Sequence, residues 1–181
     1  MNKKVLTILL IALLYLTLAL FKIAKIPGEW FGDISNVHEY VNEILAGKWP
    51  FYFMQSPGPV YHYFIAPLVI LFSGHGYETY KVASIFVGLL GLAVTFLFVY
   101  EISSFTQAAI TVLVASFSFW YLTWSRLGNS QIIIPLLTML ASYFFARYLR
   151  TGAFSDVLIM AIVASLGWYT YPQTFILPPV F

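Results

Sequence analysis

Long stretches without a charged residue alternate with short polar segments along this chain of 181 residues. Because an α-helix rises about 1.5 Å per residue, roughly 20 apolar residues cross the hydrocarbon core of a membrane. Five stretches satisfy this requirement and predict spans at about 4–24, 80–101, 108–125, 132–150 and 156–177. The pattern therefore predicts an all-α fold, a polytopic helical bundle in the membrane.

The first stretch has two interpretations. Lys3 and Lys4 precede an apolar run, as they would in a cleaved signal peptide. The run has 17 residues, however, and no small-x-small cleavage site follows it. A signal peptide has a shorter apolar region and ends in such a site, so the sequence favours an uncleaved first span.

The segment 25–79 is the longest region outside these spans, and we interpret it as an outer loop. Apolar residues recur at helical spacing over 33–47, with Gly47 as the stop, which predicts an amphipathic helix lying on the membrane. The apolar face comprises Ile34, Val37, Val41, Ile44 and Leu45. A second helix is predicted at 59–73, short and interfacial; if it crosses the bilayer instead, the later loops change sides.

Composition supports the membrane class. Hydrophobic residues make up 61% of the chain and charged residues 9%, whereas soluble domains are about a quarter charged. The nine Lys and Arg residues form no basic patch, so nucleic acid is not an expected partner. Cysteine is absent, which excludes disulfides and thiolate metal sites. The span centres carry no charge, which disfavours an ion-coupled transporter.

Four of the seven carboxylates lie between residues 29 and 43, directly after the first span. Asp33 is the first candidate for chemistry, because a carboxylate beside a low-dielectric surface can serve as a general base. Its alternative role is an N-cap of the amphipathic helix, and the two roles are compatible. The other three, Glu29, Glu39 and Glu43, suit a solvated face. His38 or His62 with an acid could bind a divalent metal, but no spacing forms a recognised site.

Two further segments carry candidate residues. Arg126 ends an apolar span, where it could either reach the interface or hold a phosphate with its forked donors. Tyr169 and Tyr171 precede Pro172 at the end of the last span. They fit either an aromatic belt at the interface or the lining of a sugar or lipid groove.

Several motifs occur in a characteristic order. After Asp33 and the amphipathic helix come Gly47-Lys48-Trp49-Pro50 and a segment at 56–67 that reads SPGPVYHYFIAP. Later come SRLGN at 125–129 and YTYP at 169–172. Together they resemble the N-terminal half of polyprenyl-phosphate-dependent glycosyltransferases of the GT-C fold. The most similar group is the dolichyl-phosphate-mannose protein mannosyltransferase-like (family 39-like) enzymes, with the aminoarabinose transferases as relatives.

The resemblance implies an integral-membrane hexosyl- or pentosyltransferase that inverts the anomeric centre, with Asp33 as general base. The donor would be a polyprenyl-phosphate sugar, and the acceptor a protein, lipid or glycan. The active loop would lie on the extracytoplasmic side of the membrane, the cytoplasmic membrane in a prokaryote, in contact with membrane lipid. Expected substrate-binding residues are Arg126, Asn129, Tyr61, His62 and Tyr171.

The chain departs from the family pattern in two respects that bear on the site. Many relatives have Asp-Glu where Ile34 here follows Asp33, and many carry an acid in the second outer loop, where this chain has Asn129 and Gln131. No resident cofactor is expected, although a divalent metal remains an alternative. A lipid-linked sugar flippase and a non-catalytic GT-C-like partner are the rival functions. The apolar, proline-rich end at 177–181 predicts a fragment of a longer protein, inactive alone.

Overall fold

A computed structural model describes residues 2–26, 28, 32–52, 58–72, 76–170, 172 and 176–180. In these residues the regular structure is helical throughout, which confirms the predicted all-α membrane bundle. The α-helices are α1 (Lys3–Leu20), α2 (Gly32–Leu45), α3 (Val60–Leu71), α4 (Glu78–Ile102), α5 (Phe105–Phe117), α6 (Phe119–Arg126), α7 (Ile133–Thr151), α8 (Phe154–Leu166) and α9 (Leu177–Val180). Two 3₁₀ turns, Ser130–Ile132 and Gly167–Tyr169, precede α7 and follow α8.

Three helices of the described chain are long and apolar enough to cross a membrane, namely α1, α4 and α7 with the turn before it. The stretch predicted as one span at 108–125 is instead a pair, α5 and α6, bent by 61°. Ser118 causes the break, because its extended backbone ends α5 and its side chain accepts a hydrogen bond from the Tyr121 amide to begin α6. Within the last predicted span, helix α8 ends at Leu166 and a 3₁₀ turn follows it.

Helix α4 is the centre of the bundle and packs against α1, α5, α6 and α7. Its close contacts depend on glycine. The Tyr15 hydroxyl donates to the Ile85 carbonyl at 3.2 Å, and the Tyr121 hydroxyl donates to the Gly88 carbonyl at 2.6 Å. A Cβ at Gly88 would lie 2.3 Å from the Tyr15 hydroxyl oxygen, so only glycine lets this tyrosine approach. Both buried hydroxyls are thereby paired inside the apolar core.

Charged residues join three helices at one end of the bundle. Arg147 Nε lies 3.6 Å from Asp156 Oδ1, which connects α7 to α8, and Arg150 pairs with Glu101 of α4. The acidic partners are largely buried, with 3% and 14% of their side chains exposed. These arginines therefore hold the ends of α4, α7 and α8 together.

Helix α2 has the predicted amphipathic character but a different partner. Ile34, Val37, Val41 and Ile44 are buried as a single face, while Leu45 is exposed. This face packs on α3 and α4 rather than on lipid, because the short helix α3 lies directly beneath it. Gly47 ends the helix in a left-handed conformation with φ +84°.

Candidate active site

Asp33 and Asn129 meet at one end of the bundle, although 96 positions separate them in the sequence. Asn129 Nδ2 donates to Asp33 Oδ2 at 2.8 Å. Asp33 is exposed, whereas Asn129 is only 2% exposed. The site therefore has an accessible carboxylate that is hydrogen-bonded to a buried amide.

Helix α2 places Asp33 in its first turn. The helix begins at Gly32, so Asp33 lies within the helix rather than at the predicted N-cap position. A carboxylate in the first turn is stabilised by the positive end of the helix dipole.

A tight turn after α6 places Asn129 opposite Asp33. Gly128 adopts φ +70°, and a Cβ there would lie 3.2 Å from the backbone nitrogen of Lys81. Asn129 Oδ1 then accepts hydrogen bonds from the Ser130 backbone N–H at 2.6 Å and from the Ser130 hydroxyl at 3.3 Å. The turn is thus packed onto α4 on one side and fixed by the Asn129 side chain on the other.

Arg126 binds the end of α1. Its Nη1 donates to the Leu18 carbonyl at 3.0 Å, and its Nη2 donates to the carbonyls of Phe21 at 2.7 Å and Ile26 at 2.9 Å. The last carbonyls of a helix lack intrahelical donors and carry partial negative charge, so a guanidinium is a suitable partner. This structural contact is neither of the two roles expected for Arg126, which were reaching the interface and holding a phosphate. The predicted phosphate contact remains a prediction.

Lys81 and Tyr77 contact the same segment, and no motif in the sequence pointed to either residue. The buried Lys81 Nζ donates to the Ile23 carbonyl at 3.2 Å and lies 4.5 Å from the centre of the Tyr77 ring. The Tyr77 hydroxyl donates to the Gly28 carbonyl at 2.7 Å. Together with Arg126, these side chains fix the connector that leads from α1 to Asp33.

Tyr61 and His62 lie in the core, both with 0% exposure, rather than on the surface beside Asp33. The Tyr61 hydroxyl pairs with the Ser84 hydroxyl, and burial raises the pKa of Tyr61. The His62 ring makes edge contacts with Tyr40 and Tyr61, and burial lowers its pKa to about 3. Their assignment to substrate binding remains a prediction, and the observed contacts are those of packing residues.

An aromatic groove of about 360 Å³ lies between the segment after α2, the start of α3 and the end of α8. Trp49 stacks on Tyr63 with ring centres 5.5 Å apart, and Phe51 meets the Tyr169 ring edge-on at 5.2 Å. The Gly58 amide donates to the Thr170 carbonyl at 2.6 Å and joins the two loops. Tyr169 thus lines a groove, while Tyr171 lies outside the described residues.

The described residues around Asp33 do not group as a metal ligand set. Among the described residues, no three His, Asp or Glu side chains come together as a possible metal ligand set. Asn129 presents an N–H to Asp33, and a donor cannot ligate a cation. His38 Nδ1 lies 2.7 Å from the Tyr80 hydroxyl, and its Nε2 lies 2.9 Å from Asn42 Nδ2. The divalent-metal alternative therefore finds no support in this geometry.

The apolar helices define an integral membrane protein. A family model described as dolichyl-phosphate-mannose-protein mannosyltransferase matches residues 55–181. The chain belongs to this family, which makes it a membrane glycosyltransferase of the GT-C type that uses a lipid-linked sugar donor. No curated protein and no solved structure matches the chain. The match includes Arg126 and Asn129, but Asp33 lies before it.

Proposed function

We propose that the protein transfers a sugar from a polyprenyl-phosphate donor to an extracytoplasmic acceptor, with inversion and with Asp33 as the general base. One observation carries the proposal: Asp33 is an exposed carboxylate whose Oδ2 is held by Asn129 at 2.8 Å. The exposed carboxylate can therefore receive a proton from an acceptor while one of its oxygens stays anchored. The family supplies the reaction class, and the site supplies the base.

The proposed step is a direct displacement. The acceptor hydroxyl oxygen forms a bond to the anomeric carbon, and the bond from that carbon to the phosphate oxygen breaks. Asp33 accepts the proton of the hydroxyl, and the lipid phosphate leaves with its negative charge. A base positioned in this way contributes about 10²–10⁴-fold to the rate.

The departing phosphate needs electrostatic stabilisation more than it needs a proton. Arg126 and Lys81 both contact the connector before Asp33, so two positive charges lie on the segment that leads to the base. The terminal nitrogens of Arg126 already contact three backbone carbonyls. We therefore assign both cations an indirect part, in which their charge favours the phosphate while their hydrogen bonds hold the connector.

The aromatic groove belongs to the same proposal as a secondary element. Aromatic faces suit both the apolar side of a sugar ring and a prenyl chain, and Trp49 and Phe51 are exposed. The groove does not carry the proposal, since exposed aromatic residues also mark membrane interfaces.

Sidedness follows from the proposal, because donor and acceptor meet outside the cytoplasm. Single cysteines suit this test since the chain has none of its own. Cysteines at Ser35 and Leu127 should react with an impermeant maleimide from the outer side, and one at Ser155 only after the membrane is opened. Reaction of position 127 from the cytoplasmic side alone would separate Asp33 from Asn129 across the bilayer and contradict the proposal.

The activity itself is tested with the natural full-length protein in membrane vesicles. The probes are synthetic polyprenyl-phosphate hexoses and pentoses, and the measured products are free polyprenyl phosphate and the sugar-bearing acceptor. We expect release of polyprenyl phosphate and an inverted anomeric configuration in the product. Movement of the donor across the bilayer without release would support the flippase instead. If polyprenyl phosphate is not released and the donor does not cross the bilayer, the non-catalytic partner is the remaining function.

A further inference from the structure

We infer that Asn129 is a positioning residue: its side-chain N–H, at the place where many relatives carry a second acid, holds Asp33 in position to accept a proton from the acceptor. This inference rests on the proposed function. It concerns one contact, Asn129 Nδ2 to Asp33 Oδ2 at 2.8 Å.

The orientation of the Asn129 amide is fixed by its surroundings. An amide side chain could present either oxygen or nitrogen to a neighbour, and the choice depends on its hydrogen bonds. Here the backbone N–H of Ser130, which can only donate, lies 2.6 Å from Asn129 Oδ1. That end of the amide must therefore be the oxygen, and the end that faces Asp33 must be the NH₂ group.

This orientation gives the carboxylate an attractive partner. The Asn129 N–H donates to Asp33 Oδ2, whereas a second carboxylate at the same distance would repel Asp33. Among the hydrogen bonds of the described residues, Oδ2 is the Asp33 oxygen with a partner, so Oδ1 can meet the acceptor hydroxyl. Asn129 thus holds Asp33 Oδ2 against the buried amide and leaves Oδ1 for the substrate.

The support behind Asn129 is rigid. The residue is 2% exposed, and it follows Gly128, whose approach to the Lys81 backbone leaves little space for movement. Because the Asn129 amide is hydrogen-bonded through both its oxygen and its nitrogen, it constrains the position of the exposed Asp33 carboxylate. The contact therefore constrains where the base lies relative to the acceptor.

A second consequence concerns metal ions. A divalent cation shared with Asp33 would need an oxygen or nitrogen lone pair from its neighbour, and the Asn129 oxygen is committed to Ser130. The N–H that faces Asp33 occupies the place such a cation would take. We therefore infer that Asn129 does not share a divalent cation with Asp33.

The decisive variant is Asn129→Asp in the full-length protein. An aspartate keeps the oxygen that caps Ser130, so a purely structural role would survive the change. It replaces the N–H donor with a second carboxylate beside Asp33, so a positioning role is lost. We expect kcat at pH 7 to fall at least tenfold, while the KM for the donor changes less than threefold.

Two further variants complete the comparison. Asn129→Ala removes both the cap and the donor, so it needs a second readout if Asn129→Asp does not fold: a tenfold loss of kcat with unchanged Tm and donor KM supports the positioning role, and a wild-type kcat overturns it. Ser104→Ala is the matched control, because Ser104 caps α5 by accepting from the Gln107 amide at 3.3 Å and lies outside the site. We expect Ser104→Ala to keep the wild-type kcat.

The outcomes separate the inference from the function on which it rests. Loss of transfer in Asp33→Asn together with a wild-type kcat in Asn129→Asp overturns the positioning role alone. Full transfer by Asp33→Asn, or no transfer by the wild type, overturns the proposed function and the inference with it.

Discussion

Replacement of Arg126 by lysine should destabilise the fold through the end of α1. The guanidinium makes three hydrogen bonds to backbone carbonyls, at 2.7, 2.9 and 3.0 Å. A lysine keeps the charge but can reach all three carbonyls only poorly, because its single nitrogen lacks the planar fork. A hydrogen bond to a charged group contributes about 1.5–3 kcal/mol. Since water can replace the two exposed contacts, we expect a total loss of about 2 kcal/mol.

Thermal unfolding of the detergent-solubilised protein measures this loss. A change of about 2 kcal/mol should lower Tm by roughly 4–8 °C for a protein of this size. Lys25→Gln is the matched control, since Lys25 is exposed on the same connector and its loss changes only the charge. We expect it to stay within about 0.5 kcal/mol of the wild type. An unchanged Tm in Arg126→Lys with an increased donor KM would refute the structural reading and favour the phosphate contact.

Two further changes test other parts of the fold. A Cβ at Gly58 would lie 2.2 Å from the backbone carbon of Tyr169, so Gly58→Ala should lower the free energy of unfolding by about 3 kcal/mol, as measured by thermal unfolding. Gly32 has open space around it, so Gly32→Ala should lower it by less than about 0.5 kcal/mol. Equal losses in the two variants would contradict the observed contact between the loops. Burial lowers the His62 pKa from 6.5 to about 3, so the unfolded chain binds more protons than the folded one between these values. The contribution of His62 to the free energy of unfolding should therefore be fully present above pH 6.5 and should decline as the pH falls toward 3. His62→Phe should reduce this decline.

Local patterns in the sequence predicted local structure well. The spacing of Ile34, Val37, Val41 and Ile44 predicted one face of α2, and Gly47 predicted its end. The same pattern did not reveal what the face would contact, because an apolar stripe packs equally well on lipid or on another helix. The break at Ser118 was missed for a similar reason, since a serine within an apolar stretch is compatible with a continuous helix.

In the candidate site, too, individual residues could be predicted from the sequence but their contacts could not. Asp33 was singled out from its position after the first span and from the family resemblance, and Asn129 was marked as a departure from that family. Their contact could not be predicted, because it depends on the turn at Gly128 and on how α2 and α6 pack around α4. Tyr61 was expected at the substrate and is buried, since the short helix that carries it packs beneath α2.

The most direct test of the central claim compares Asp33→Asn with Glu39→Gln in the full-length protein. Both changes remove one carboxylate from an exposed position on α2, but only Asp33 contacts the buried Asn129. The measurement is kcat for release of polyprenyl phosphate in the presence of acceptor. The account predicts a decrease of about 10²–10⁴-fold for Asp33→Asn and less than about threefold for Glu39→Gln. A wild-type rate in Asp33→Asn, or an equal loss in both variants, would contradict it.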